Sequence, residues 1–61
     1  METIKEILMR RDGMTAEDAD ELIQEAKDDL LERIEDGDDT AHDICEEYFG
    51  LEPDYLMELL P

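Results

Sequence analysis

Basic residues are scarce in this sequence, and their scarcity excludes the commonest kinds of nucleic-acid and membrane binding. Lysine and arginine together number 5, against 21 aspartates and glutamates, and the formal net charge is −16. DNA, RNA and anionic lipid surfaces are themselves negatively charged, so they repel such a chain. We therefore expect neither direct nucleic-acid binding nor membrane binding.

Cysteine and long apolar segments are also scarce. Cys45 is the single cysteine, so no disulfide can form within the chain, and a lone thiol is more typical of a reducing compartment than of a secreted scaffold. No stretch approaches the roughly 18 apolar residues of a membrane-spanning helix, and the first residues lack the pattern of a signal peptide. These features predict a cytoplasmic protein, either bacterial or viral.

The length and the apolar periodicity predict a single acidic helical domain over residues 1–61. A chain of 61 residues supports one thin core at most. So high a charge is common in disordered chains, but apolar residues recur here at the three- and four-residue intervals of amphipathic helices. We predict an all-α bundle of three to four helices over about 2–10, 16–36, 41–49 and 53–60, with a long central helix.

The central helix has the clearest boundaries. Thr15 can cap its first turn through the hydroxyl group, and Gly37 can end it. One face would then be buried in the core, comprising Ala19, Leu22, Ile23, Ala26, Leu30, Leu31 and Ile34. Thr40 and Gly50 bound the third predicted helix, and Pro53 suits the first position of the fourth.

The opposite face of the central helix is densely acidic. Ten carboxylates lie between Thr15 and Gly37. This is about one per 3 Å of helix axis, close to the spacing of about 3.4 Å between phosphates along one DNA strand. Mixed charges would be equally soluble and would repel one another less, so the pattern favours a binding face over simple solvation. The candidate partner-binding residues are Glu17, Glu21, Glu25, Asp28, Glu32, Glu35 and Asp36. Solvation alone, including adaptation to high salt, is the alternative.

The last third of the chain suggests a second surface. It is rich in large apolar side chains, and a chain this short need not bury all of them. The candidates for an exposed apolar interface, which could support a homodimer or bind a partner groove, are Tyr48, Tyr55, Leu56, Leu59 and Leu60.

Three local motifs suggest other chemistry, and each departs from its pattern. Residues 44–56 resemble a bacterial helix-turn-helix, but the second helix carries acidic residues where phosphate contacts require lysine or arginine. Residues 36–47 partly match a calcium-binding loop, yet Ala41 stands where the sharp turn requires glycine. His42 and Cys45 provide two ligands, which is too few for a zinc site. We therefore predict no metal, no cofactor, no catalytic residue and no enzyme activity.

The chain as a whole resembles a group of small acidic proteins from bacteriophages and mobile elements, for which no activity is assigned. The likeness lies in its length, in the opening Ile4 to Thr15 and in the closing Phe49 to Tyr55. In size, charge and helicity it also resembles phage-encoded DNA mimics, including anti-CRISPR proteins and other inhibitors. The resemblance implies an inhibitor that binds the basic surface of a nucleic-acid-binding protein. A structural or assembly module that docks through the apolar C-terminal helices is the alternative.

Overall fold

Two α-helices form the N-terminal half of the computed structural model, which describes residues 2–60. Helix α1 spans Ile4–Arg11 and α2 spans Ala16–Glu35. Each begins at a threonine: the Thr3 hydroxyl accepts a hydrogen bond from the Glu6 amide at 3.2 Å, and the Thr15 hydroxyl accepts one from the Asp18 amide at 3.1 Å. These bonds satisfy backbone donors that a helix start leaves free. The predicted all-α fold with a long central helix is confirmed.

The C-terminal half is helical as well, but it is more tightly wound than the sequence predicted. A 3₁₀ helix over Asp39–Asp43 leads into α3 over Ile44–Phe49, where one α-helix was expected over 41–49. Asp38, not Thr40, caps this segment, because its carboxylate accepts hydrogen bonds from the Thr40 amide and hydroxyl at 2.8 and 2.7 Å. No strand occurs within residues 2–60.

The fourth predicted helix is also a 3₁₀ helix, spanning Pro53–Glu58. Its closing bonds join residues three apart, as from the Leu59 amide to the Leu56 carbonyl at 2.9 Å. Gly50 ends α3 in the left-handed conformation, with φ of 66°, and the described residues after it, 51–60, form this 3₁₀ helix and no α-helix. The helix-turn-helix resemblance therefore ends at α3, since the second α-helix of that motif is not formed.

The core lies between α1, α2 and α3. Ile4 and Leu8 of α1 are buried, as are Leu30 of α2 and Ile44 of α3. The remaining members of this cluster are Ala19, Ala26, Cys45, Phe49 and Leu59. The two alanines let the other helices approach α2 closely. Burial of Cys45 accords with a small hydrophobic residue packed in the core.

The apolar face predicted on α2 is buried for only part of its length. Ala19, Ala26 and Leu30 are buried, but Leu31 and Ile34 are 43% and 49% exposed, so their assignment to the core was wrong. The eight residues of α1 extend about 12 Å and the twenty of α2 about 30 Å. Helix α2 thus continues past the end of α1, and no helix within residues 2–60 covers Leu31 and Ile34 fully.

Polar contacts attach the far end of α2 to α3. The Arg33 guanidinium donates to both Asp29 carboxylate oxygens, at 3.1 and 3.2 Å, and to Glu47 at 2.6 Å. The Tyr48 hydroxyl donates to the same Asp29 carboxylate at 2.7 Å. Hydrogen bonding to Tyr48, followed by that to Arg33, holds the pKa of Asp29 below its usual value. This network lies on the flank of α2 that faces α3.

The neighbouring leucines of α2 provide a matched test of the core. We expect Leu30→Ala to lower the free energy of unfolding by about 2–5 kcal/mol, because it removes a fully buried side chain. Leu31→Ala makes the same chemical change at an exposed position and should lower it by less than about 1 kcal/mol. Urea unfolding followed by circular dichroism measures both. Equal losses would contradict the assignment of Leu30 to the core.

A second test uses the contact between Tyr48 and Asp29. Because the folded pKa of Asp29 lies below its unfolded value, its contribution to stability is present above about pH 4 and is lost as pH falls through the folded pKa. Tyr48→Phe removes the largest cause of that shift. We expect the melting temperature of the variant to be lower than that of the wild type at pH 7. This difference in melting temperature should shrink as the pH falls below about 4.

Tyr55→Phe is the control, since no hydrogen bond from the Tyr55 hydroxyl occurs in the described part of the chain. The melting temperature of this control variant should equal that of the wild type across the same pH range. A difference between the wild type and Tyr48→Phe that stays constant down to about pH 2 would show that the hydroxyl stabilises the fold by some route other than ionised Asp29.

Candidate partner-binding surfaces

All seven predicted partner-binding carboxylates lie exposed on the solvent side of α2. Six are within the helix and Asp36 is its C-terminal cap. At about 100° per residue, the seven occupy a sector about 100° wide, on the side of the helix away from Ala19, Ala26 and Leu30. From Glu17 to Asp36 they extend about 28 Å. The helix is continuous over this length, so the seven form one band along it, which we call the acidic face.

None of the ion pairs in residues 2–60 involves a member of the acidic face. Lys5 pairs with Asp20 at 3.1 Å, Arg10 with Glu2 at 2.7 Å and Arg11 with Asp12 at 2.9 Å. Arg33 is bound to Asp29 and Glu47 on the flank toward α3. The one side-chain partner recorded for the seven is a neutral amide, that of Gln24, which donates to Asp28 at 3.1 Å. The negative charge of the face is therefore uncompensated.

Two of the ten carboxylates of α2 differ from the rest because each forms an ion pair with a basic residue. Asp20 and Asp29 are held in ion pairs with Lys5 and Arg33, and neither is among the seven. The other eight of the ten counted from the sequence have no basic partner among the described residues, and their average separation is about 4 Å along the axis. The spacing remains close to that of about 3.4 Å between phosphates of one DNA strand.

The apolar surface predicted at the C-terminus is smaller than expected. Leu59 is 3% exposed and belongs to the core, so it is not available as an interface residue. Tyr48, Tyr55 and Leu56 are half-buried against the core. Leu60 remains 42% exposed, and Met57, which was not among the predicted residues, is 80% exposed. No periodic signal could have found Met57, because the last segment is not an α-helix.

Two of the acidic residues around the first 3₁₀ helix, Asp38 and Glu47, are held by contacts within the chain. They border an open depression lined by Arg33, Asp38, Thr40, Asp43, Glu46 and Glu47. Arg33 binds Glu47, and Asp38 caps the turn at Thr40. In the described range, no group of three or more His, Cys, Asp or Glu side chains is placed to hold a metal ion.

His42 and Cys45 are not brought to a common surface. The imidazole is exposed, whereas the thiol is buried in the core. Burial, together with the nearby Glu58 carboxylate, raises the pKa of Cys45. The reactive thiolate form is therefore disfavoured.

Comparisons of the chain with protein families, with curated protein sequences and with solved structures found no match of any of the three kinds. Within residues 2–60, every helix is too short or too polar to cross a lipid bilayer. The geometry and the charge of the surfaces described above are therefore the basis for inferring a function.

Proposed function

We propose that this chain is a non-enzymatic interaction protein whose acidic face binds a basic surface of another protein. The observation that carries the proposal is a row of seven exposed carboxylates on one continuous helix without a lysine or arginine partner. The partner would be a nucleic-acid-binding protein, and the face would occupy the site that its nucleic acid uses. The chain would thus act as a DNA-mimic inhibitor of the anti-CRISPR kind.

The placement of the basic residues supports this reading. A solvated helix usually intersperses charges of both signs, which relieves repulsion between like charges one turn apart. Here Glu17, Glu21 and Glu25 succeed one another at four-residue intervals with no cation between them. The arginine of α2, Arg33, faces α3 instead. The fold thus keeps positive charge away from the acidic face, which favours binding of that face to a positively charged surface.

The dimensions of the face favour a site that binds nucleic acid. Together with the unpaired Asp18, its charges are on average about 4 Å apart over about 28 Å, comparable with the phosphates of one strand, and that length corresponds to roughly eight nucleotides at 3.4 Å each. A basic groove attracts such a row at long range, which raises the association rate and makes binding sensitive to salt. The helix is also ordered before binding, so little conformational entropy is lost on association.

The test begins with capture of host proteins on the immobilised chain at about 0.05 M salt, followed by elution at about 0.5 M, because screening should release an electrostatic partner. The identified partner is then bound to a labelled oligonucleotide, and the chain is added. We expect the chain to displace the oligonucleotide. Affinity that does not change with salt, or a partner that binds chain and oligonucleotide together, would contradict the proposal.

Matched charge removals locate the binding surface. Replacing Glu21, Glu25, Asp28 and Glu32 by their amides should weaken partner binding at least about tenfold, chiefly through the association rate. The control set has the same change in net charge but lies off α2, at Asp43, Glu46, Glu52 and Asp54. It should weaken binding much less. Equal losses in the two sets would show that overall charge, not the acidic face, determines binding.

A second function is favoured by one specific observation, the 80% exposure of Met57 beside the partly exposed Leu60. The chain would then be an assembly module that docks through its C-terminal segment. Met57→Ser with Leu60→Ser should abolish binding to the captured partner without altering the melting temperature, since both side chains are exposed. Retained binding in this variant, together with loss in the acidic-face variant, would reject the assembly function.

A further inference from the structure

Helix α2 carries an apolar patch that the fold leaves uncovered. Leu31 and Ile34 are about half exposed, although both lie within the continuous helix α2. The adjacent Leu30 points into the core and is fully buried. The two side chains are three residues apart, so they lie next to each other on the helix surface. The two side chains form a small apolar patch on an otherwise acidic surface, and a partner that covered it would remove aliphatic groups from water.

The patch continues the line along which α1 packs. The ion pair of Lys5 with Asp20 places α1 on one flank of α2, and the bonds from Arg33 and Tyr48 place α3 on the other. At about 100° per residue, Leu31 and Ile34 project within about 40° of the direction of Asp20. They therefore face the side that α1 would cover if it were longer.

The residues beside the patch indicate the charge and direction of a helix that would cover it. Lys27 lies about one turn before Leu31, is half-buried, and makes no ion pair within residues 2–60. Glu35 lies about one turn after Leu31 and is exposed. Positive charge on one side of the patch and negative charge on the other make it self-complementary for an antiparallel pair of helices.

We propose that a second copy of this chain occupies the patch, with the two α2 helices packed antiparallel about Leu31 and Ile34. Lys27 of each copy then lies beside Glu35 of the other, and the two-fold symmetry forms this ion pair twice. This assembly differs from the one suggested by Met57 and Leu60, which are on another element. It also does not depend on the acidic face having a partner, because most of that face points away from the contact.

The contact is small, and its response to salt should be opposite to that of partner binding. Two half-exposed side chains per copy bury far less than the roughly 800 Å² per subunit of a standard interface, so the dimer forms at high protein concentration. Each copy has a net charge of −16, and the resulting repulsion is screened by salt while the apolar contact persists. Self-association should therefore strengthen between about 0.05 and 0.5 M salt, whereas binding to a basic partner weakens.

Sedimentation equilibrium of the purified chain at concentrations up to about 1 mM tests the proposal. We expect Lys27→Glu and Glu35→Lys each to weaken dimerisation at least about fivefold, because each places like charges opposite one another. The double variant restores both pairs at the wild-type net charge and should recover dimerisation to within about twofold of the wild type. Monomers throughout for the wild type, or failure of the double variant to recover, would overturn the proposal.

An apolar substitution with a matched control completes the test. Leu31→Ser should abolish the dimer, whereas Met9→Ser, at a comparably exposed position on α1, should leave it unchanged. Met57→Ser reports on the other assembly surface and should also leave the dimer unchanged. A dimer lost with Met57→Ser and kept with Leu31→Ser would assign self-association to the C-terminal segment and refute this arrangement. Melting temperatures confirm that each variant is folded.

Discussion

The burial of one narrow face of α2 is the constraint on which the rest of the molecule depends. Ala19, Ala26 and Leu30 form the line against which α1 and α3 pack. Because this line is narrow, most of the circumference of α2 stays in solvent, and the chain can place carboxylates there without removing them from water. A broader apolar face would have required more covering helix than a chain of 61 residues provides.

The few basic residues are used where they join separate elements. Arg33 connects α2 to Glu47 of α3, Lys5 connects α1 to Asp20 of α2, and Arg11 donates to the Phe49 carbonyl at the end of α3 at 2.6 Å. With so few cations, each one used in this way leaves fewer to neutralise the acidic face. The same placement of the basic residues therefore holds the helices together and leaves the negative charge of the acidic face without a positive partner.

The two proposals use different properties of α2. The acidic face depends on long-range charge and on the continuity of the helix, and the apolar patch depends on close packing at Leu31 and Ile34. If both interactions occur, a dimer would present two acidic faces at once. Self-repulsion would then limit the dimer to conditions in which salt or a basic partner offsets the negative charge.

Much of the fold could be predicted from local sequence. The threonine cap at the start of α2, the helical periodicity and the glycine after α3 act over a few neighbouring residues, so the sequence alone determines them. The same holds for the acidic face, because helical geometry assigns Glu17 through Asp36 to one side once the helix is known. The contacts of Tyr48 with Asp29 and of Arg33 with Glu47 were not predicted, since each joins residues far apart in the sequence.

Burial was decided by the tertiary structure. Periodicity cannot distinguish Leu30 from Leu31 or Ile34, because whether an apolar side chain is covered depends on where the neighbouring helix ends, and α1 ends before it reaches them. In the same way, the packing of the last segment buried Leu59 and exposed Met57, and it wound that segment as a 3₁₀ helix. The sequence determined which faces exist, and the length and packing of the neighbouring elements determined which of them remain open to a partner.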